Sequence, residues 1–232
     1  MQSMLLALAL AATSDIAPYT ECTVLLHGMG RTEYSMRKIA KELGNEGYII
    51  SNYSYPSLSI GIEEIADLHI PRAISKCGSA EKIHFVTHSL GGIVLRKYLS
   101  TTQLDRLGRV VMLGPPNQGS EIVDTLKSLP GVKLINGPAG LQLGTDENSV
   151  PRTLGPVTYP VGIIAGSYTL NPIFSHLLPN PDDGTVSVAS TKVEGMTDHV
   201  VMPVTHTFMM RNEDVITQVK AFLKSGKFDS RD

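Results

Sequence analysis

Apolar residues in this chain fall into short runs with few polar interruptions, separated by stretches in which they recur every three or four positions. The runs are Val24-Leu25-Leu26, Tyr48 through Tyr53, Ile83 through Val86, Arg109-Val110-Val111-Met112-Leu113, Val161 through Ala165, and Val200 through Val204. Runs of this length predict strands, and those at Ile83 to Val86 and at Arg109 to Leu113 read as buried ones. Between them the spacing turns helical. Met36, Ile39, Ala40 and Leu43 precede Gly44 and Gly47, and Ile62, Ile65, Ala66, His69 and Ala73 share a face, with a kink expected at Pro71. Further helices are predicted over Ile93 to Leu99, around Ile122, Val123 and Leu126, and over Arg211 to Leu223, with Val215, Ile216, Val219, Phe222 and Leu223 inward. Strand and helix alternating throughout implies an α/β fold, a mostly parallel central sheet with helices on both faces. The pattern dissolves only between 130 and 160, where prolines stand at 130, 138, 151, 156 and 160. That stretch is expected to form an irregular cap, because long loops in compact domains tend to be functional.

Composition sharpens this outline. The length of 232 residues suits one domain, expected over 21–232, and a charged fraction of 18% indicates a large interior. A net charge of −2 with no run of basic residues argues against nucleic acid as a partner and against an electrostatic grip on anionic membranes. Residues 1–20 stand apart. Met4 to Ala12 is apolar but too short to span a bilayer, so stable membrane insertion is not expected. Its length suits a signal-peptide core, and small residues follow at Ala11, Ala12, Ser14 and Ala17. No Lys or Arg precedes Arg31, so the usual basic start is missing and a buried N-terminal helix is the alternative. Export to a periplasmic or extracellular space is the expectation.

The two cysteines are too few for a disulfide framework and wrongly spaced for a metal site. Cys22 opens the first predicted strand, and Cys77 closes the helix before the strand at Ile83. A crossover helix runs antiparallel to its strands, so both sulfurs would reach the same end of the sheet. A Cys22–Cys77 disulfide is expected, two buried thiols being the alternative.

The chemistry gathers just after strand ends, the edge where open α/β sheets bind ligands. Ile83 to Val86 leads through Thr87-His88-Ser89-Leu90-Gly91-Gly92 into a helix, a strand, sharp turn and helix with serine at the apex. Such an elbow lifts the hydroxyl above the sheet, and the glycines let the helix pack close. An ordinary helix N-cap is the plainer reading of Ser89. His27-Gly28-Met29-Gly30 ends the first strand, where the Met29 amide, with that of Leu90, could donate to an oxyanion. His27 is read as bracing this loop through a ring hydrogen bond. His27, Gly28 and His88 are taken to shape the substrate site. A serine nucleophile needs a base and an acid to orient it. His206 follows the last predicted strand and is preferred over His199 and His176. Asp183, before the flexible Gly184, is preferred over Asp182 and the more distant Asp198. Ser89, Asp183 and His206 thus follow the chain order Ser, Asp, His.

On these motifs the sequence resembles compact bacterial lipases and esterases of the α/β-hydrolase superfamily. The matching residues are His27 to Gly30, His88 to Gly92 and Asp183-Gly184-Thr185-Val186, and the likeness runs from about Cys22 to Leu223. The eukaryotic GPI inositol-deacylases carry a lipase-like domain that is similar only at superfamily level. The resemblance implies the α/β-hydrolase fold and cleavage of carboxylic esters, with Ser89 as nucleophile, Asp183 as acid, His206 as base, and Met29 and Leu90 as oxyanion amides. It implies a small-molecule ester or lipid substrate and neither metal nor organic cofactor. Thr87 departs from the usual glycine, and no helical lid is legible. An acyltransferase, a thioesterase and an inactive binding module of the same fold are the alternatives.

Overall fold

The structure, a computed structural model, describes residues 20–127, 132–170 and 175–230. The apolar run from Met4 to Ala12 lies outside them, as does Pro130. The strands are β1 (Glu21–Leu26), β2 (Ile49–Tyr53), β3 (Lys82–His88), β4 (Leu107–Leu113), β5 (Val161–Gly166) and β6 (Asp198–Met202). The helices are α1 (Arg37–Asn45), α2 (Ile62–Ser75), α3 (Leu90–Thr101), α4 (Glu121–Lys127), α5 (Val132–Leu141), α6 (Val150–Thr153), α7 (Val188–Thr191) and α8 (Glu213–Ser225). Two 3-10 turns, Glu33–Met36 and Met209–Arg211, precede α1 and α8.

Side chains alternate across the pleat, so each central strand feeds two cores. Val24, Leu26, Ile83, Phe85, Val110, Met112 and Ile163 face α2 and α3, meeting Ile62, Ile65, Ile70, Ile93 and Val94. Leu25, Val86, Val111, Leu113 and Ile164 face the other way, against Ile39 and Leu43 of α1 and Val215, Val219 and Phe222 of α8. Phe85 and Phe222, both fully buried, each contribute about 2–3 kcal/mol of apolar transfer. Continuous hydrophobic runs are therefore the signature of strands covered on both sides.

The six strands are ordered β2-β1-β3-β4-β5-β6, with every pair parallel. The chain goes outward from β1 to β2, then crosses back over β1 to β3. Between β1 and β3 the order reverses, and the loops that leave their C-terminal ends flank a crevice. These are the loops of Met29 and Ser89.

Cys22 and Cys77 are bonded, with Cα atoms 5.6 Å apart, at the N-terminal end of the sheet as expected. Helix α2 continues past Pro71, where one intrahelical donor is lost. The stretch expected to be irregular carries α5 and α6, and α5 bends at Gly137, whose φ of 62° is left-handed. Gly137 lies against the Leu58 backbone, where a Cβ would come within 2.1 Å of its carbonyl oxygen. Just beyond α5, the Gln142 side chain accepts a hydrogen bond from the Ile62 amide at 2.7 Å and donates to Glu63 at 2.8 Å. The segment is thereby fastened to the start of α2 and the loop after β2.

Candidate active site

Ser89 joins β3 to α3 with φ 52° and ψ −121°, the one non-glycine residue with positive φ among the described residues. A conformation of this kind costs on the order of 1–3 kcal/mol and persists only where its surroundings over-determine it. Here the Ser89 amide donates to the Leu113 carbonyl at 2.9 Å, and its carbonyl accepts from Gly92 at 3.0 Å. The side chain makes no cap bond to α3, so the helix-cap reading fails. A Cβ on Gly91 would stand 2.8 Å from the Leu26 carbonyl oxygen and 2.9 Å from that of His27. The Thr87 hydroxyl would lie 3.2 Å from a Cβ on Gly92. Thr87 is accommodated because its neighbour in the next turn has no side chain. As the first residue of α3, Leu90 carries one of the amides without an intrahelical acceptor.

The loop after β1 is built on His27. Its ring is fully buried and stacks on Tyr55 with centroids 4.1 Å apart. The Nδ1–H donates to the Gly28 carbonyl at 2.8 Å, Nε2 accepts from the Tyr55 amide at 3.2 Å, and the Tyr55 hydroxyl donates to the His27 carbonyl. Burial holds the His27 pKa down. Gly28 presses on the elbow, where a Cβ would be 3.3 Å from Cβ of Ser89 and 2.7 Å from Nδ1 of His88. The Gly30 amide donates to Ser57 Oγ at 3.0 Å, tying Met29 between two fixed points.

Asp183 and His206 meet over the end of β4. His206 Nδ1–H donates to Asp183 Oδ2 at 2.8 Å, and the His206 amide donates to the Asp183 carbonyl at 3.0 Å. Asp183 Oδ1 accepts from the amides of Thr185 and Val186 at 3.0 and 2.8 Å, a turn that Gly184 permits with its φ of 92°. A Cβ on Gly114 would come 3.0 Å from His206 Nδ1 and 3.1 Å from Asp183 Oδ2. Ser89, hydrogen-bonded to Leu113, and the Asp183–His206 pair therefore converge on residues 113–114.

The other titratable residues considered from sequence are engaged elsewhere. Asp182 accepts from the Gly184 amide at 2.8 Å and from Ser175 at 2.6 Å, within its own turn. Asp198 accepts from the His199 and Phe228 amides, His199 contacts Thr191, and His176 is exposed. His88 is buried beneath His206. Its Nε2–H donates to the His206 carbonyl at 3.0 Å, and burial, then the neighbouring His206, keeps its pKa well below 6.5. His88 thus supports the backbone of His206 and does not line open space.

Tyr55 and Ser57 follow β2, and their place in the chain predicts a loop near the Met29 edge; their hydrogen bonds to His27 and Gly30 are what the sequence does not show. A cavity of about 850 Å³ opens at the opposite end of the sheet around Tyr48, Lys220 and Lys224. It carries none of these groups. Among the described residues no cluster of His, Cys, Asp or Glu could hold a metal, and no helix is long and apolar enough to cross a membrane.

Solved structures similar to this chain share its architecture. Bacillus licheniformis lipase BlEst2 in its mature form matches over 90% of this chain and 93% of its own, at 17% identity and a TM-score of 0.65. A monoacylglycerol lipase of Paleococcus ferrophilus matches over 88% and 94%, at 18% identity and a TM-score of 0.57. Phospholipase PlaB of Legionella pneumophila matches over 81% of this chain and 52% of its own, at 16% identity and a TM-score of 0.66. No protein-family model matches the sequence, and no curated protein does so. With its parallel sheet and these neighbours, the chain has the α/β-hydrolase fold.

Proposed function

We propose that this protein hydrolyses carboxylic esters through an acyl intermediate on Ser89. The observation that carries the reading is the 2.8 Å Asp183–His206 hydrogen bond at the same sheet edge as the strained Ser89 elbow. With Nδ1–H given to Asp183, the neutral His206 ring keeps Nε2 as its base. Nε2 takes the Ser89 proton as Oγ attacks the ester carbonyl. The Met29 and Leu90 amides stabilise the tetrahedral oxyanion, one such donor being worth about 3 kcal/mol of barrier. His206 then protonates the leaving alcohol, and water activated by the same ring releases the acid. Asp183, held by two backbone amides, keeps the tautomer and offsets the imidazolium charge.

The names of the structural neighbours, lipases and a phospholipase, support an ester as the reacting group. The Cys22–Cys77 bond supports an oxidising compartment such as the periplasm or the extracellular space. The proposal is tested with p-nitrophenyl esters from acetate to palmitate. Wild type is expected to turn them over, and Ser89→Ala to lose at least about 10³-fold in kcat. Equal activity in the two proteins would end the proposal. Product partition in the presence of added alcohols or thiols separates hydrolysis from acyl transfer.

A further inference from the structure

The sequence has no basic run, yet the fold assembles a basic cluster beside the catalytic edge. Arg37, Lys38 and Lys41 of α1 and Arg211 of the second 3-10 turn line one cavity of about 320 Å³. Lys38 is already engaged, donating to Glu213 at 3.1 Å and to the Arg211 carbonyl at 3.0 Å. Among the described residues, Arg37, Lys41 and Arg211 have no ion pair.

Exposed rings flank these cations. The Arg37 guanidinium lies 3.8 Å over the Tyr34 ring, which is 57% exposed, and Phe208 is 51% exposed. The turns Glu33–Met36 and Met209–Arg211 pack against each other, and Phe208 directly precedes the second. The first turn follows the Met29 loop and the second follows His206. Leu58 and Leu170, also exposed, stand on the loops after β2 and β5 at the same edge.

Rings left in water beside unpaired cations fit one environment well. In a phospholipid headgroup layer, guanidinium and ammonium groups meet phosphates while aromatic rings sit at headgroup depth. A nucleic acid would ask for a longer cationic track than the compact cluster of Arg37, Lys41 and Arg211. We propose that this face docks the protein on an anionic phospholipid surface, with Arg37, Lys41 and Arg211 on the phosphates and Tyr34 and Phe208 among the headgroups. That the docked edge also brings Ser89 to lipid esters rests on the function proposed above.

The test is co-sedimentation with vesicles of phosphatidylcholine alone and of phosphatidylcholine with phosphatidylglycerol. Association is expected only with the second, and it should weaken as salt is raised. Arg37→Gln, Lys41→Gln and Arg211→Gln combined should lower the partition coefficient about 100-fold at low salt. Hydrolysis of soluble p-nitrophenyl acetate by the triple variant should match wild type, which also shows that the variant is folded. Equal association with both vesicle types, or a triple variant that binds like wild type, would overturn the proposal. So would saturable binding of inorganic phosphate without vesicle association, which would assign the cations to a free anion. Charge-dependent docking by a protein that cleaves no ester would leave this inference standing and remove the proposed function.

Discussion

At Ser89 the backbone is held where a side chain is disfavoured, and each restraint on it is identifiable. The Leu113 carbonyl fixes its amide, and Gly28 and Gly91 leave no slack against the loop after β1. Asp183 is restrained as tightly, with both oxygens engaged. Asp183→Asn should therefore keep the fold while presenting an amide that favours the wrong His206 tautomer, and kcat should fall about 10⁴-fold. Steady-state kinetics beside an unchanged far-UV spectrum would check this. A loss confined to KM would instead make Asp183 a structural residue. That Asp183 and not Asp182 pairs with His206 was legible from the glycine that follows it. The placement of His88 was not, because a histidine next to the proposed nucleophile looks like a pocket residue until its hydrogen bond to the His206 carbonyl is seen.

Among elements, β3, its elbow and α3 form the unit on which the geometry depends. Gly91 sits where α3 crosses β1, so Gly91→Ala would drive a methyl group into two carbonyl oxygens. That overpacking should cost about 1–3 kcal/mol of stability and, by moving the Leu90 amide, lower kcat at least about 10-fold. Urea unfolding and ester kinetics measure the two effects; an alanine variant with wild-type values in both would mean the close approach is slack. Strands and long helices were readable because burial on both faces writes continuous apolar runs and helical spacing writes one-sided ones. Helices α5 and α6 were not, since proline and glycine mask their short periodicity. What organises them is tertiary: the Gln142 clamp on α2 and the close contact of Gly137 with Leu58.

For the whole molecule, several histidines are stored in the interior as neutral rings. Burial lowers the pKa of the interior rings of His27, His84 and His88, and of the half-buried His199, from the ordinary 6.5. Below that value the unfolded chain takes up protons that the folded chain refuses, so protonation favours unfolding. Stability should be full above about pH 6.5 and fall as pH drops, by up to about 1.4 kcal/mol per pH unit for each of the fully buried rings of His27, His84 and His88. Urea midpoints measured across this range check it, and a midpoint that stays level or rises on acidification would contradict it. Assembly at this scale was the part least visible in the sequence. Cations at 37–41 and 211 become neighbours only because α1 and the turn before α8 share one face of the sheet.

Intact-mass analysis after treatment with a fluorophosphonate tests the central claim most directly. Wild type should gain one adduct per chain, mapping to the peptide of Ser89, with none in Ser89→Ala and slower labelling in His206→Ala. A folded wild-type protein that stays unlabelled, or one labelled at another residue, would contradict the account.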